Sequence, residues 1–189
     1  MKNLIKYFVL LLLLSCNSEV VDPVSNFSTF IQGEVNGELS NLPQIDLENV
    51  NTSNTYFLKA KQTWLEAYES NQGIADGYWQ IRLSGLDILN LTLPYTASEA
   101  EASVSWYDND VIKINDDRCQ GLDQGCSFMG SSAENVQVII TNIEDKFIVG
   151  EFSGRLFLTG TGFGSFKDES KYVDVSKGAF KIRFRTDEE

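Results

Sequence analysis

From Phe27 onward, apolar residues recur at every second position in short runs that are rich in β-branched and aromatic side chains. A period of two is typical of strands with one buried and one solvated face, whereas the spacing of an amphipathic helix is scarce. The run Phe180–Arg185 shows this clearly, since three apolar residues alternate with three basic ones. The sequence therefore predicts an all-β fold.

Glycine, asparagine and aspartate separate these runs, as in Val35-Asn36-Gly37, where residues that tolerate positive φ permit a tight turn. Many short strands with frequent turns predict a single antiparallel β-sandwich, with a β-barrel as the alternative. Helical structure is expected to amount to at most one or two turns, around Gln62–Ser70. The predicted strands are Thr29–Val35, Thr55–Thr63, Tyr78–Leu83, Ile88–Leu93, Ala102–Tyr107, Val111–Ile114, Val136–Thr141, Phe147–Leu158 and Phe180–Arg185.

The first 15 residues have the layout of a signal peptide. Lys2 and Lys6 precede Tyr7–Leu14, an uncharged run of apolar and aromatic residues. This run is far shorter than the roughly 20 apolar residues that a membrane-spanning helix needs. We therefore expect residues 1–15 to be cleaved rather than retained as a transmembrane anchor.

The segment Leu13-Leu14-Ser15-Cys16 resembles the lipobox of bacterial lipoproteins. The resemblance implies that Cys16 becomes the N-terminus and is thioether-linked to diacylglycerol, with an ordinary secreted protein as the alternative. Each buried methylene contributes about 0.8 kcal/mol, so two or three acyl chains anchor a protein stably. The expected arrangement is a lipidated tether at 16–26 and an all-β domain at 27–189, held on the outer membrane of the cell envelope. The leaflet that it faces is left open.

The order of motifs along the mature chain resembles that of small uncharacterised lipoproteins of the Bacteroidota. These motifs are turn and strand patterns of low specificity, and the family has no established activity or site residues. The resemblance therefore implies the anchor and the all-β domain only. After the lipobox and tether, the matching segments are Val35–Gly37, Ile88–Pro94, Val138–Ile143, Val149–Gly154 and Gly178–Phe180.

The charge balance excludes some partners. The chain has 15 basic and 27 acidic residues, a formal net charge of −12, and loss of Lys2 and Lys6 with the signal peptide makes it −14. A strongly acidic protein is repelled by nucleic acid and by anionic lipid surfaces. The partners expected instead are the membrane, through the lipid on Cys16, and an envelope protein or glycan.

The chain contains no histidine, so the commonest general base and the commonest zinc ligand are missing. The glycine-rich segment Gly160–Ser165 is not followed by an amphipathic helix, which argues against a phosphate-binding loop and leaves a hairpin connection. We therefore expect a non-enzymatic binding or assembly accessory without a cofactor. The alternatives are a carbohydrate- or peptide-binding module and, less favoured, a hydrolase that uses paired carboxylates.

Cys119 and Cys126 are predicted to form a disulfide, because export places them in an oxidising compartment. The residues between them include Gly121 and Gly125, which let the chain turn back tightly. The spacing is not C-x-x-C and no further soft ligands accompany it, so a redox or metal role is not expected.

An acidic segment offers oxygen atoms that suit Ca²⁺. It contains Asp108-Asn109-Asp110 and Asn115-Asp116-Asp117, with Asp123 beyond. However, Ile112 falls where a calcium-binding loop requires a ligand, and no glycine follows at the turn position. Turn chemistry is the favoured explanation, no metal ligand is assigned, and calcium binding is left open.

Two surface features are candidates for ligand binding. Strand alternation assigns Trp79 and Trp106 to the core and leaves Trp64 as the tryptophan that is exposed. A carbohydrate- or peptide-binding module predicts a concave surface with Trp64 near a stripe of basic residues. The favoured alternative is that the stripe pairs with carboxylates on neighbouring strands. The stripe consists of Lys181, Arg183 and Arg185, joined by Lys59 and Lys61.

Overall fold

The computed structural model describes residues 27–45, 54–71, 76–115, 117–119, 125–160 and 165–188. The predictions for the signal peptide, Cys16 and the tether lie outside these residues.

The described chain is built almost entirely of β-strands, as predicted. One short helix, α1 (Asn109–Asn115), and three 3₁₀ turns (Ile88–Asn90, Glu99–Glu101 and Asp117–Cys119) interrupt them. The strands are β1 (Phe30–Val35), β2 (Glu38–Pro43), β3 (Thr55–Phe57), β4 (Gln62–Tyr68), β5 (Gly77–Ser84), β6 (Tyr95–Thr96), β7 (Ala102–Asp108), β8 (Cys126–Ser131), β9 (Val136–Glu144), β10 (Phe147–Gly160), β11 (Phe166–Arg183) and β12 (Arg185–Thr186).

The strands form one continuous sheet in the order β12-β3-β4-β5-β7-β8-β10-β11-β1-β2, with β9 beside β10 and β6 beside β9. All pairs are antiparallel except the two-residue pair of β12 and β3. In the described ranges the end strands β12 and β2 do not pair, so the sheet does not close. The predicted sandwich is therefore confirmed in preference to a barrel.

The sheet folds over itself along its two longest strands. Residues 147–154 of β10 pair with β9, whereas residues 157–160 pair with β8. Gly154 lies between these two halves with a φ of +141°, and a Cβ there would collide with the carbonyl oxygen of Asn135. Strands that switch layers in this way use bulges or glycines at the corner. We call β3, β4, β5, β7 and β8 the first layer, and β9, β1 and β2, with the adjoining halves of β10 and β11, the second layer.

The core lies between the two layers. Trp79 of β5 is fully buried, and its ring centroid is 5.3 Å from that of Phe152 in β10. The indole N–H groups of Trp79 and Trp106 donate to the same hydroxyl, that of Ser40 in β2, over 3.0 and 3.3 Å. The core assignment of both tryptophans is confirmed, and these bonds join the first layer to the edge strand of the second.

Most predicted strands are confirmed, and so is the Asn36-Gly37 turn, in which both residues have positive φ. Three local predictions are wrong, namely the strands Thr55–Thr63, Ile88–Leu93 and Val111–Ile114, the first of which is divided by a turn at 58–61. Gln62–Ser70 contains strand β4, because Thr63, Leu65 and Ala67 alternate into the core. Ile88–Leu93 is a 3₁₀ turn followed by irregular backbone, and the whole of Val111–Ile114 lies in α1.

The predicted disulfide between Cys119 and Cys126 is confirmed, with the two Cα atoms 5.7 Å apart. Both cysteines are buried. Cys119 lies in the connection that follows β7, and Cys126 is the first residue of β8. Ile112 of α1 is also buried in the core. The disulfide therefore tethers the connection between β7 and β8, which contributes Ile112 to the core.

Candidate ligand-binding depression

A β-bulge in β11 shapes the outer surface of the second layer. Gln32 of β1 pairs with Ala179, and Glu34 pairs with Ser176, so two residues of β11 oppose a single residue of β1. The extra residue is Lys177, whose φ is +50°. Bulges turn side chains away from the regular alternation and are common beside functional sites. Here the bulge places the Lys177 side chain at the rim of a depression.

The depression lies over a small residue that is flanked by two longer ones. Ala179 pairs with Gln32 on one side and with Glu151 on the other, and all three point away from the core. Because Ala179 ends at its methyl group, a hollow of about 270 Å³ remains above it. Its lining residues are Gln32, Gln137, Ile139, Glu151, Phe152, Ser153, Lys177, Gly178 and Ala179.

The tight fit of the backbone beneath the depression requires glycine at position 178. A Cβ at Gly178 would collide with the carbonyl oxygen of Phe152 and approach the Phe152 ring to 2.7 Å. The ring itself points into the core, where its centroid is 6.5 Å from that of Phe180. Core packing on one face of β10 and β11 thus fixes the floor of the depression on the other face.

Gln32 is the buried polar group of the depression. It is only 5% exposed, and its Oε1 atom has no hydrogen-bond partner in the described structure. A buried amide oxygen without a partner costs about 1–3 kcal/mol, and most such groups in folded proteins are paired. The Gln32 side chain also lines the depression, so a ligand bound there lies against the residue whose amide oxygen lacks a donor.

An ion pair occupies one rim. Lys177 Nζ donates to Glu34 Oε1 over 2.8 Å, and Ser176 Oγ donates to the other carboxylate oxygen over 3.3 Å. The hydrogen bond from Lys177 is the main reason that the pKa of Glu34 lies below its ordinary value. The positive charge of Lys177 is therefore already balanced by Glu34.

The opposite rim carries polar groups without internal partners. Glu151, Gln137 and Ser153 are exposed, and none of their side chains forms a hydrogen bond or ion pair with another described residue. Glu151 supplies acceptors, while the amide of Gln137 and the hydroxyl of Ser153 both donate and accept. The depression thus combines one buried acceptor without a partner, Gln32 Oε1, with three exposed polar side chains that have no partner among the described residues.

A second depression, also about 270 Å³, lies on the outer surface of the first layer beside Arg82. The guanidinium of Arg82 covers the ring of Trp64 at 5.8 Å, and Phe57 packs against Trp64 edge-on. Trp64 is half-buried, so it does not present the free ring that the sequence suggested. The structure also places Trp64 on a different layer from the bulge in β11.

Two residues of the basic stripe contact groups other than carboxylates. The strand neighbours of Lys181 are Phe30 and Val149, and its ammonium lies 5.4 Å from the centroid of the Phe147 ring. Arg185 donates to the hydroxyl of Thr55 over 2.9 Å. Within the described residues, Lys61 matches the expectation, through an ion pair of 3.3 Å with Asp87.

The acidic segment favours turn chemistry over metal binding. Asp108 Oδ1 accepts hydrogen bonds from the backbone N–H groups of Asp110 and Val111, and so caps the start of α1. Asp116 and Asp123 lie outside the described residues. Within the described ranges, no three acidic or cysteine side chains gather as a metal site.

Gln32 and Glu151 lie in strands that the sequence predicts, whereas it assigns no element or role to Lys177. The available signal was the pair Lys177-Gly178 within a long alternating run, since glycine inside a strand pattern indicates a bulge or a close backbone approach. The pairing of Gln32 with Ala179 depends on strands far apart in sequence, so no local pattern indicates it.

Among the described residues, no helix is long and apolar enough to cross a membrane. Comparison of the chain with protein-family models, with curated proteins and with solved structures found no match, so the geometry of the depression is the basis for a functional proposal.

Proposed function

We propose that this chain is a lipid-anchored, non-enzymatic lipoprotein of the cell envelope, held on the outer membrane, that binds a small polar ligand at the depression in the second layer. The lipobox resemblance at Cys16 supports the anchor. The observation that carries the binding role is Gln32, a 95% buried side chain whose Oε1 atom lacks a partner at the floor of an open hollow.

The arrangement of carboxylates favours binding over hydrolysis. A glycosidase needs one carboxylic acid whose pKa is raised so that it can donate a proton. Glu34, the carboxylate beside Lys177, has its pKa shifted the opposite way, chiefly by the Lys177 hydrogen bond. Turnover of chromogenic glycosides that is lost in Glu151→Gln would contradict the non-enzymatic proposal.

The anchor is tested by metabolic labelling with an alkyne-tagged fatty acid. The wild-type protein should incorporate the label and fractionate with membranes, whereas Cys16→Ser should incorporate no label and should be left uncleaved or free of the membrane. Ser18→Ala, two residues beyond the cysteine, is the matched control and should behave as wild type. Equal labelling of Cys16→Ser would contradict the anchor.

Ligand binding is tested with the side-chain amide of Gln32 as a nuclear magnetic resonance probe. We expect its signal to shift when the folded domain is mixed with soluble sugars, amino acids and peptides released from the envelope. Ala179→Trp, which fills the depression, should abolish the shift. Ser103→Trp, on the outer surface of the first layer, should retain it. An unchanged Gln32 signal in wild type would contradict the binding role.

A further inference from the structure

We propose that the ligand of the depression is a single neutral, hydroxyl-rich ring, that is, one uncharged saccharide unit. This inference rests on the proposed function, because it names the chemical class that the same site takes. It follows from the size of the depression, from the hydrogen-bonding groups that lack partners, from the distribution of charge and from the apolar part of the floor.

The size of the depression limits the ligand to one ring. Sites for drug-sized molecules have volumes of about 300–1,000 Å³. The hollow above Ala179 measures about 270 Å³ and lies just below that range. A monosaccharide fits this space, whereas a longer oligosaccharide would have to extend along the surface beyond it.

The unpartnered groups call for a ligand that donates hydrogen bonds. Gln32 Oε1 and the carboxylate of Glu151 are acceptors without a partner among the described residues. Strands in a sheet are about 4.8 Å apart, so these two groups, on either side of β11, have Cα atoms about 10 Å apart. A ring with hydroxyl groups on opposite edges matches this separation. Hydroxyl groups also accept, which suits the amide of Gln137 and the hydroxyl of Ser153.

The charges disfavour a charged ligand of either sign. An anion would lie near Glu34 and Glu151, and Lys177, the only lysine among the described residues that line the depression, already pairs with Glu34. A cation would meet Lys177 at one end and Lys181 near the other, since both lie on β11 on either side of Ala179. Glu151 is the diagonal strand neighbour of Lys181, at about 7–8 Å. A neutral ligand avoids both repulsions.

The floor also offers an apolar contact. Ala179 and Ile139 line the depression, and Ile139 pairs with Glu151 from the neighbouring strand β9. Glu151 lies between these two residues in the sheet, so the apolar surface that faces the middle of the depression is the methyl group of Ala179. A pyranose ring has C–H groups on its faces and hydroxyl groups at its edges. Placing such a face over the Ala179 methyl group leaves the edge hydroxyls directed at Gln32 and Glu151.

The test is a titration of the folded domain with matched pairs of methyl glycosides, followed by the Gln32 side-chain signal. The pairs are glucose with glucuronate and N-acetylglucosamine with glucosamine. In each pair the first sugar is neutral and the second is charged. Methyl galactoside, methyl mannoside, lysine amide and diglycine complete the set. We expect at least one neutral glycoside to shift the Gln32 signal and to bind at least tenfold more tightly than any charged probe.

Two variants locate the site. In these variants the titration is followed by the backbone amide signal of Ala179, which all of them retain. Gln32→Leu and Glu151→Gln should each weaken binding of the neutral glycoside at least tenfold, whereas Ser103→Ala should leave it unchanged. Gln32→Leu should also unfold at the same or a higher denaturant concentration than wild type, because it removes an unpaired buried group. A loss of binding in that variant therefore reports on recognition and not on misfolding.

The outcomes separate this inference from the proposed function. Tighter binding of glucuronate, glucosamine, lysine amide or diglycine at Gln32 overturns the neutral class and leaves a binding role intact. A Gln32 shift with the envelope mixture, but with none of the glycosides, has the same meaning. No shift with the mixture or with any probe overturns both. Neutral glycoside binding that survives Ala179→Trp overturns the location.

Discussion

Ser40→Ala should destabilise this protein far more than its position on an edge strand suggests. Ser40 lies in β2, the last strand of the sheet, and is only partly buried. Its hydroxyl nevertheless accepts from Trp79 and from Trp106, which are paired neighbours on β5 and β7. A serine oxygen has two lone pairs, so it accommodates both donors. Alanine removes the acceptor and leaves two indole N–H groups unpaired.

The expected loss is about 2–4 kcal/mol of the free energy of unfolding. Trp79 is fully buried and Trp106 is 5% exposed, so neither indole gains easy access to water. Each unsatisfied buried donor costs about 1–3 kcal/mol. We take the lower part of the combined range because Ser40 itself is partly exposed and the edge strand can adjust. For a domain of this size the melting temperature should fall by about 2–4 °C per kcal/mol.

The measurement is urea unfolding monitored by tryptophan fluorescence, with Ser103→Ala as the matched control. Ser103 is half-buried on β7 and makes no hydrogen bond with another described residue, so its loss should stay within about 0.5 kcal/mol. In the Trp79→Phe background, Ser40→Ala should cost about 1–2 kcal/mol less, since one donor is already gone. If Ser40→Ala matches the control, or the two substitutions are additive, the shared hydroxyl does not stabilise the fold.

Three further outcomes are expected from unfolding measurements. Gly178→Ala should lower the free energy of unfolding by about 1–3 kcal/mol, because its Cβ collides with the Phe152 carbonyl oxygen. Ala179→Gly should lower it by at most about 1 kcal/mol. Equal losses in the two variants would contradict the close approach at Gly178. The pKa of Glu34 is lowered, chiefly by the Lys177 hydrogen bond, so this pair stabilises the fold above the unfolded pKa of about 4.3, and the stabilisation is lost as the pH falls through the folded pKa. Glu34→Gln and Lys177→Met should both reduce the loss of stability in acid. An unchanged dependence of stability on pH would refute the pairing. Cys119→Ala with Cys126→Ala should cost about 2.5 kcal/mol, and peptide mapping without reduction should find the two cysteines linked in wild type.

The parts of the fold that were predictable are those in which burial follows a local period. In Phe180–Arg185 the three apolar side chains are buried and the basic ones are exposed, as alternation requires. Val138 and Ile140 of β9 are fully buried for the same reason. Apolar and polar residues alternate in every strand that has one face on the core, so a single sequence is sufficient to identify such strands.

The errors occur where a short apolar run is too brief to define a period. Val111–Ile114 contains only three apolar residues, and the hydrogen bonds from Asp110 and Val111 to the Asp108 side chain start a helix there. Ile88 is fully buried within its 3₁₀ turn, whereas Leu89 is 48% exposed, which a buried strand would not produce. Short runs of this kind suit either a strand or a helical turn, and the contacts that decide between them are not local.

The depression could not be predicted from the sequence, for a related physical reason. Gln32 is recognisable as an outward residue of an alternating strand, and outward glutamines are ordinarily solvated. Its burial arises because β1 lies beside β11, about 150 residues further along the chain, where a bulge displaces Lys177 and a small residue follows at Ala179. Any larger residue at position 179 would fill the hollow, and a regular strand would aim Lys177 elsewhere. The site is thus a product of strand register, and its individual residues become informative only once the pairing of β1, β11 and β10 is known.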